Sequence, residues 1–354
     1  MTWRRVSLLT VAALLTGPAI YSLTRSDPSK TDAVSKTLLS APYCLDKIYR
    51  SMEGPMSVEN ALRLGNDKGG VQWITGVDTE VVDAASQNRI SQEFFCHSNL
   101  TFAENSGTAQ QFNRMLGGKT HLDWRLFTLV PGRLSIELPK GFGVPVPANV
   151  PLDYVTMSLN LNAKNEVVNV RMRTNLRTVA GDNPGAPTKA LFRRALYVLQ
   201  PHGDFVAMGP ACMAKPGSQH SAAGCGEIVK GAAEGLMNHW IVPTGHHLFR
   251  TEVTPQLNLP FDTTIHYATI HVHPFARWME LRDLTSGQTV FRLNAENWPN
   301  RVGVAHVDEV KSIDGIPIRR DHRYELAADY DNTSGSNTDA MAILYLYLLE
   351  KDLT

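Results

Sequence analysis

The chain has 354 residues, 34 Lys+Arg against 34 Asp+Glu, 43% hydrophobic and 19% charged residues. That composition is globular rather than disordered, and the length has room for two domains of ordinary size. Balanced charge without a long basic stripe excludes the electrostatic footprint of a nucleic-acid binder.

Arg4 and Arg5 precede an apolar run from Val6 to about Leu23, interrupted by Gly17-Pro18. A charged start and an apolar body predict a secretory signal over residues 1–25. The alternative is an uncleaved membrane anchor, because about 18 apolar residues just reach across a bilayer. Ile20-Tyr21-Ser22 makes a poor cleavage site, and a twin-arginine signal is only weakly matched. Either reading places the chain from Ser26 onward outside the cytoplasm, secreted or periplasmic. Residues 26–40 read as a polar linker.

From Cys44 to about Arg177 the pattern is strand-like with frequent turn signals, as at 124–129, 134–138, 154–161 and 166–173. The turn-rich segment 181–187 predicts a boundary between a first domain over 41–185 and a second over 186–354. Residues 190–199 are ambiguous between strand and short helix. A small-residue loop over 210–226 is bracketed by Cys212 and Cys225. Further strands are expected at 247–253, 263–273, 278–284, 290–293, 324–329 and 341–349. Short strands at this spacing predict an all-β fold of antiparallel sandwiches.

Four cysteines, Cys44, Cys96, Cys212 and Cys225, suit an oxidising compartment and allow three connectivities. Cys212 with Cys225 and Cys44 with Cys96 is the favoured arrangement.

The most informative motif is His271-Val272-His273, followed much later by Met341. Side chains alternate along a strand, so His271 and His273 share one face, while Ala268, Ile270 and Val272 form an apolar opposite face. A thioether arriving from another strand would complete a soft site of two nitrogens and one sulfur. Such a donor set selects copper, Cu(I) above all.

Each residue also has a plainer reading. Surface strands carry histidine pairs without chemistry, and Met341, sharing a face with Ile343 and Tyr345, reads equally as a core methionine. His246 and His247 are adjacent, so binding one metal together would require a bulge. His202, His220 and His239, with Met208 and Met213, surround the cysteine loop as a soft metal trap or as ordinary loop composition. Asn99 and Asn332 begin glycosylation sequons. No Gly-x-Ser-x-Gly, phosphate-cradling glycine loop, His-Glu-x-x-His or Cys-x-x-Cys is present in the sequence.

Three stretches carry a family resemblance: Leu126-Phe127 through Leu138-Pro139-Lys140-Gly141-Phe142-Gly143-Val144; Ile270-His271-Val272-His273; and Asp339-Ala340-Met341 with Leu344-Tyr345. In order and spacing, from Cys44 onward, the chain resembles the copper type II, ascorbate-dependent monooxygenases. This is the family of peptidylglycine α-hydroxylating monooxygenase and dopamine β-monooxygenase. The resemblance implies two packed jelly-roll-like β-sandwich domains, each carrying one copper.

His271, His273 and Met341 match the family's oxygen-binding copper site. The electron-supplying site, which uses three histidines in the family, falls on Cys96, His97 and Asn160, where one imidazole survives. One copper is therefore expected, with a degenerate second site in which Cys96 is a thiolate ligand or is tied to Cys44. Dioxygen, a small-molecule or peptide substrate, and ascorbate or another electron donor are the implied partners. A non-catalytic copper carrier or sensor on the same fold is the alternative.

Overall fold

A computed structural model describes residues 34–51, 53–65, 69–103, 121–201 and 236–352. The expected signal or anchor over 1–25, the Cys212–Cys225 loop, and His202, His220, Met208 and Met213 lie outside the described residues. No helix among the described residues is long and apolar enough to cross a membrane.

The first half contributes β1 (Val34–Leu39), β2 (Tyr43–Leu45), β3 (Met56–Leu62), β4 (Val71–Asp83), β5 (Phe95–Phe102), β6 (Arg125–Leu129), β7 (Ser135–Glu137), β8 (Phe142–Pro147), β9 (Leu152–Ser158) and β10 (Val168–Ala180). After β11 (Lys189–Tyr197) and β12 (Gln200–Pro201), the second half runs through β13 (Leu236–Met237), β14 (Trp240–Val242), β15 (Gly245–Glu252) and one helical turn, α1 (Thr254–Leu257). It continues with β16 (Thr263–Val272), β17 (Ala276–Asp283), β18 (Thr289–Asn297), β19 (Val304–Val307), β20 (Glu309–Ile318), β21 (Tyr324–Asn332), β22 (Thr338–Ala340) and β23 (Ala342–Leu349).

The fold is all-β, with packed antiparallel sheets. A ten-stranded sheet runs in the order β1-β10-β4-β8-β11-β23-β16-β20, with β2 and β7 added at its sides. A four-stranded sheet, β3-β9-β5-β6, and a five-stranded sheet, β15-β21-β17-β18-β19, supply opposing layers. One core joins Val81, Met172 and Val144 of the long sheet to Phe95, Phe102 and Leu126 of the four-stranded one. The other joins Phe192, Ile270 and Leu346 to Met279, Leu281 and Leu326 of the five-stranded sheet. Neighbouring residues of β11 serve the two cores, Leu191 the first and Phe192 the second, and Tyr267 and Tyr347 return to the first. The long sheet continues through both cores by a parallel pairing of β8 with β11 at Lys189↔Phe142 and Ala190↔Gly143.

Local pattern explains most of the strands. In β10, Val170, Met172, Thr174 and Leu176 point inward while Arg171, Arg173 and Asn175 alternate outward. Each such apolar side chain contributes roughly 1.5–3 kcal/mol by leaving water. By contrast, β23 is buried on both faces, as suits a strand flanked by β11 and β16 in the shared sheet.

The period of 190–199 was ambiguous, and pairing resolves it. β11 lies antiparallel along β23 from Leu191↔Leu349 to Tyr197↔Ile343, so cross-strand hydrogen bonding makes it a strand. Part of the expected linker is also a strand. Residues 34–39 form β1 on the edge of β10, since backbone pairing there needs no apolar side chain.

Candidate metal centre

β16 delivers the two histidines where it meets the start of β23. His271 lies opposite Ile343 and Val272 opposite Ala342, and one step further His273 N–H donates to the Met341 carbonyl at 3.3 Å. Directly opposite residues of antiparallel strands send their side chains to the same face, so His273 and Met341 are cross-strand neighbours. Tyr330 Oη donates to the same carbonyl at 2.8 Å and fixes the chain at Met341. The imidazoles of His271 and His273 are 5.5 Å apart between ring centres and almost perpendicular, at 88°.

A third imidazole joins them. β14 pairs with β22 as Trp240↔Ala340 and Ile241↔Asp339, which brings the preceding residue, His239, to the end of β22 that adjoins Met341. Its ring centre is 5.5 Å from that of His273. Asp339, two residues earlier, brings Oδ2 to 2.8 Å from His273 Nδ1. That approach lies off the ring N–H direction, so it is a close polar contact rather than an aligned hydrogen bond.

His239, His271, His273 and Met341 are buried, while the Asp339 side chain is 28% exposed. Burial lowers the pKa of His239 to about 3, with His273 adding to the effect and Asp339 opposing it. Burial, then Arg125 and His273, lowers His97 to about 3. His271 is held well below its ordinary value by burial and by His273, His97 and His239. Burial pushes the Asp339 carboxyl up, but His273 and His239 outweigh it and leave the group below the usual carboxylate range. His97, His239 and His271 are therefore held as neutral imidazoles. Neutral imidazole is the form that binds a metal.

These nitrogens are available. Both ring nitrogens of His239 and Nδ1 of His271 have no hydrogen-bond partner among the described residues. An unpaired buried polar group costs about 1–3 kcal/mol, so these nitrogens are open to a water or a ligand. Orphaned imidazole nitrogens next to the strand end that carries the buried Met341 would suit a soft metal such as copper.

Beside the centre is a cavity of about 20 Å³, lined by His271, His273 and Trp298 from the second half and by Phe95, Cys96 and Leu159 from the first. Cys96 reaches it through a bulge in β5, where Phe95 pairs with Ser158 and His97 with Met157, leaving Cys96 as the extra residue. A clasp closes the rim: Asn162 exchanges hydrogen bonds with Val302, at 2.9 and 3.0 Å, and Arg301 pairs with Glu93 at 2.6 Å.

The structure therefore gathers His271, His273 and Met341, and brings Cys96 and His97 toward the same place rather than to a separate site. Asn160 does not join them. Its Nδ2 donates to the Lys47 and Ala163 carbonyls, and its Oδ1 accepts from the Asn162 and Ala163 amides. Every donor and acceptor of that carboxamide is used within the loop, which leaves no lone pair for a metal.

The Cys44–Cys96 bridge is also absent. Cys44 is an exposed free thiol on β2, turned away from the core between inward-facing Tyr43 and Leu45, while Cys96 is buried in a different sheet. Both expected sequons are closed to modification, because Asn99 and Asn332 are buried. His246 is exposed and contacts Asp329 at 2.7 Å while His247 is half-buried, so strand alternation separates that pair as expected. Tyr345 stacks under the Arg193 guanidinium at 4.5 Å, away from the centre.

His239 is the residue that sequence reasoning misplaced. The available signal was its position immediately before the strand-like Trp240-Ile241-Val242. Among the described residues, the group of His, Cys, Asp and Glu whose ligand atoms all lie within 4.8 Å of one another is elsewhere: His121, Glu350 and Asp352. There, His121 Nδ1 meets the buried Glu350 at 2.8 Å, an ion pair that anchors the end of β23. The imidazoles of the centre are more widely spaced, and ring rotation would have to accompany capture of an ion.

No protein-family model matches the chain, and no curated protein matches its sequence. Solved structures similar to it include the STIV MCP, at 10% identity and a TM-score of 0.36, covering 90% of this chain and 97% of that one. Another is a peptide-N(4)-(N-acetyl-β-D-glucosaminyl) asparagine amidase, at 10% identity and a TM-score of 0.34, with coverage of 90% and 97%. The major capsid protein P2 of bacteriophage PM2 follows at 10% identity and 0.31, with coverage of 88% and 97%. Likenesses this distant carry no functional weight.

Proposed function

We propose that this chain is an exported copper protein that binds one copper through His271, His273 and Met341. On the resemblance noted above, its activity would be that of a copper-dependent monooxygenase. The observation that supports this most directly is the set of unpartnered imidazole nitrogens beside Met341. When bound, copper would supply dioxygen binding and one-electron chemistry. The protein's own contributions are separate. His271 offers a neutral imidazole that needs no proton removed, and Met341 favours the reduced ion. Asp339 holds the His273 ring by a close polar contact, in the manner of the carboxylates that orient metal-bound histidines. The cavity walls of Phe95, Leu159 and Trp298 restrict water.

One observation favours the second reading, a copper carrier or sensor. With Asn160 consumed by its loop, the first half keeps a single histidine where the family uses three. An active enzyme would then need its remaining electrons from ascorbate or a protein donor.

Metal analysis of the purified chain is the test. One copper per chain, lost in the His271→Ala/His273→Ala variant, is the expected result; a wild-type protein that takes up no copper refutes the reading. Oxygen uptake with ascorbate that depends on an added organic substrate separates enzyme from carrier.

A further inference from the structure

We infer that His239 is a third imidazole donor of this centre, making the ligand set His239, His271, His273 and Met341. The inference rests on the copper reading above and extends it to a residue outside the His-x-His motif.

Four observations converge. His239 is 2% exposed, and neither of its ring nitrogens has a hydrogen-bond partner among the described residues. A structural histidine at that depth would be tied to a carbonyl, carboxylate or hydroxyl, since nearly all buried polar groups are paired. The pairing of β14 with β22 at Trp240↔Ala340 brings His239 to the strand end that adjoins Met341. The rings of His239 and His273 lie 5.5 Å apart between centres, tilted by 54°.

Asp339 supplies the fourth observation. Its Oδ2 lies 2.8 Å from His273 Nδ1, and strand alternation puts it on the Met341 face. Three nitrogens and one sulfur also provide the four donors that a tetrahedral soft-metal site takes. His239 would therefore add retention of Cu(I) to a centre that two imidazoles and a thioether hold less completely.

The test compares the full-length wild type with His239→Leu and His239→Gln. Cu(I) affinity is read by competition with a chromogenic chelator, donor type and number by copper X-ray absorption, and the melting of metal-free protein by calorimetry. The wild type should show three imidazoles and one sulfur. His239→Leu should weaken Cu(I) binding by at least roughly a hundredfold, the upper range for losing even an outer-sphere partner. The same metal-free variant should melt at or above the wild-type temperature, because leucine removes an unpaired polar group from the interior. If His239→Leu does not fold, His239→Gln keeps the size and polarity and should show two imidazoles. Wild-type affinity and an unchanged imidazole count in either variant overturn the inference while leaving the copper reading intact. A wild type without copper defeats that reading and this one with it.

Discussion

The two halves of the molecule share a device and differ in what they place beside it. Each buries one asparagine whose carboxamide closes a loop. Asn160 does so with Lys47, Asn162 and Ala163. Asn332 donates to the Val242 and Ser336 carbonyls and accepts from the amide and hydroxyl of Ser334. Both amides reach across to a carbonyl of a distant segment, and both are saturated. In the second half a separate set of buried side chains, His239 and His271, remains unsatisfied. Burial and polarity are common to the two cases. Whether the polar atoms already have partners separates a structural group from a candidate ligand.

The sharpest way to break that contrast is to delete each kind of group and measure both copper and stability. His271→Ala/His273→Ala should reduce copper affinity by more than about a thousandfold, roughly 4 kcal/mol at 1.4 kcal/mol per factor of ten. Chelator competition measures it. Asn160→Ala should do the reverse. Its loss strands two carbonyls and two amides, and should cost about 3 kcal/mol in urea unfolding while leaving copper uptake unchanged. Asn332→Ala should cost a similar amount. Copper loss in a folded Asn160→Ala protein would return that residue to the metal centre and erase the distinction.

Acid should act on the buried imidazoles next. His97 and His239 have pKa values of about 3 in the folded chain, against 6.5 when exposed. The unfolded chain therefore binds more protons below pH 6.5. The stability present above that pH is lost as pH falls toward 3. Each histidine contributes a slope of at most about 1.4 kcal/mol per pH unit, or about 2 kcal/mol between pH 6.5 and 5. Urea unfolding of metal-free protein across that window should show the decline. His97→Leu should make it shallower by one proton; an unchanged slope would mean that the His97 ring is hydrated in solution.

Much of this architecture is written locally. The alternation of β10 and the apolar run of β23 declare strands without help, and β16 ends at Val272, one residue short of the expected 263–273. The His-x-His face follows from the same alternation. What the sequence could not show depends on pairing between distant segments. The Asn160 carboxamide is spent on a carbonyl at Lys47, and the pairing of β14 with β22 is what brings His239 to within 5.5 Å of His273. Compartment chemistry permits a Cys44–Cys96 bridge, but it says nothing of the outward turn that keeps Cys44 away.

The smallest predicted effect isolates backbone conformation, again by comparing the halves. Asp83 and Asp283 each open a tight turn. Asp83 Oδ1 accepts from the Ala85 and Ser86 amides, and Asp283 Oδ1 from those of Thr285 and Ser286. The backbone closes in both, Asp83 N–H to the Asn88 carbonyl and Asp283 N–H to that of Gln288, each at 2.9 Å. The fifth residue is left-handed in each, Gln87 at φ 60° and Gly287 at φ 73°. A side chain costs about 1–2 kcal/mol in that conformation, while glycine returns roughly 0.4–1 kcal/mol through the freer unfolded chain. Gln87→Gly should therefore stabilise by about 0.5 kcal/mol. Gly287→Ala should destabilise by about 1 kcal/mol, and since a Cβ there would meet nothing within 4 Å, that cost is conformational. Equal and opposite shifts in thermal unfolding would show the turns to be interchangeable. A Gln87→Gly variant less stable than wild type would show that the Gln87 side chain holds its turn by contacts Gly287 does not need.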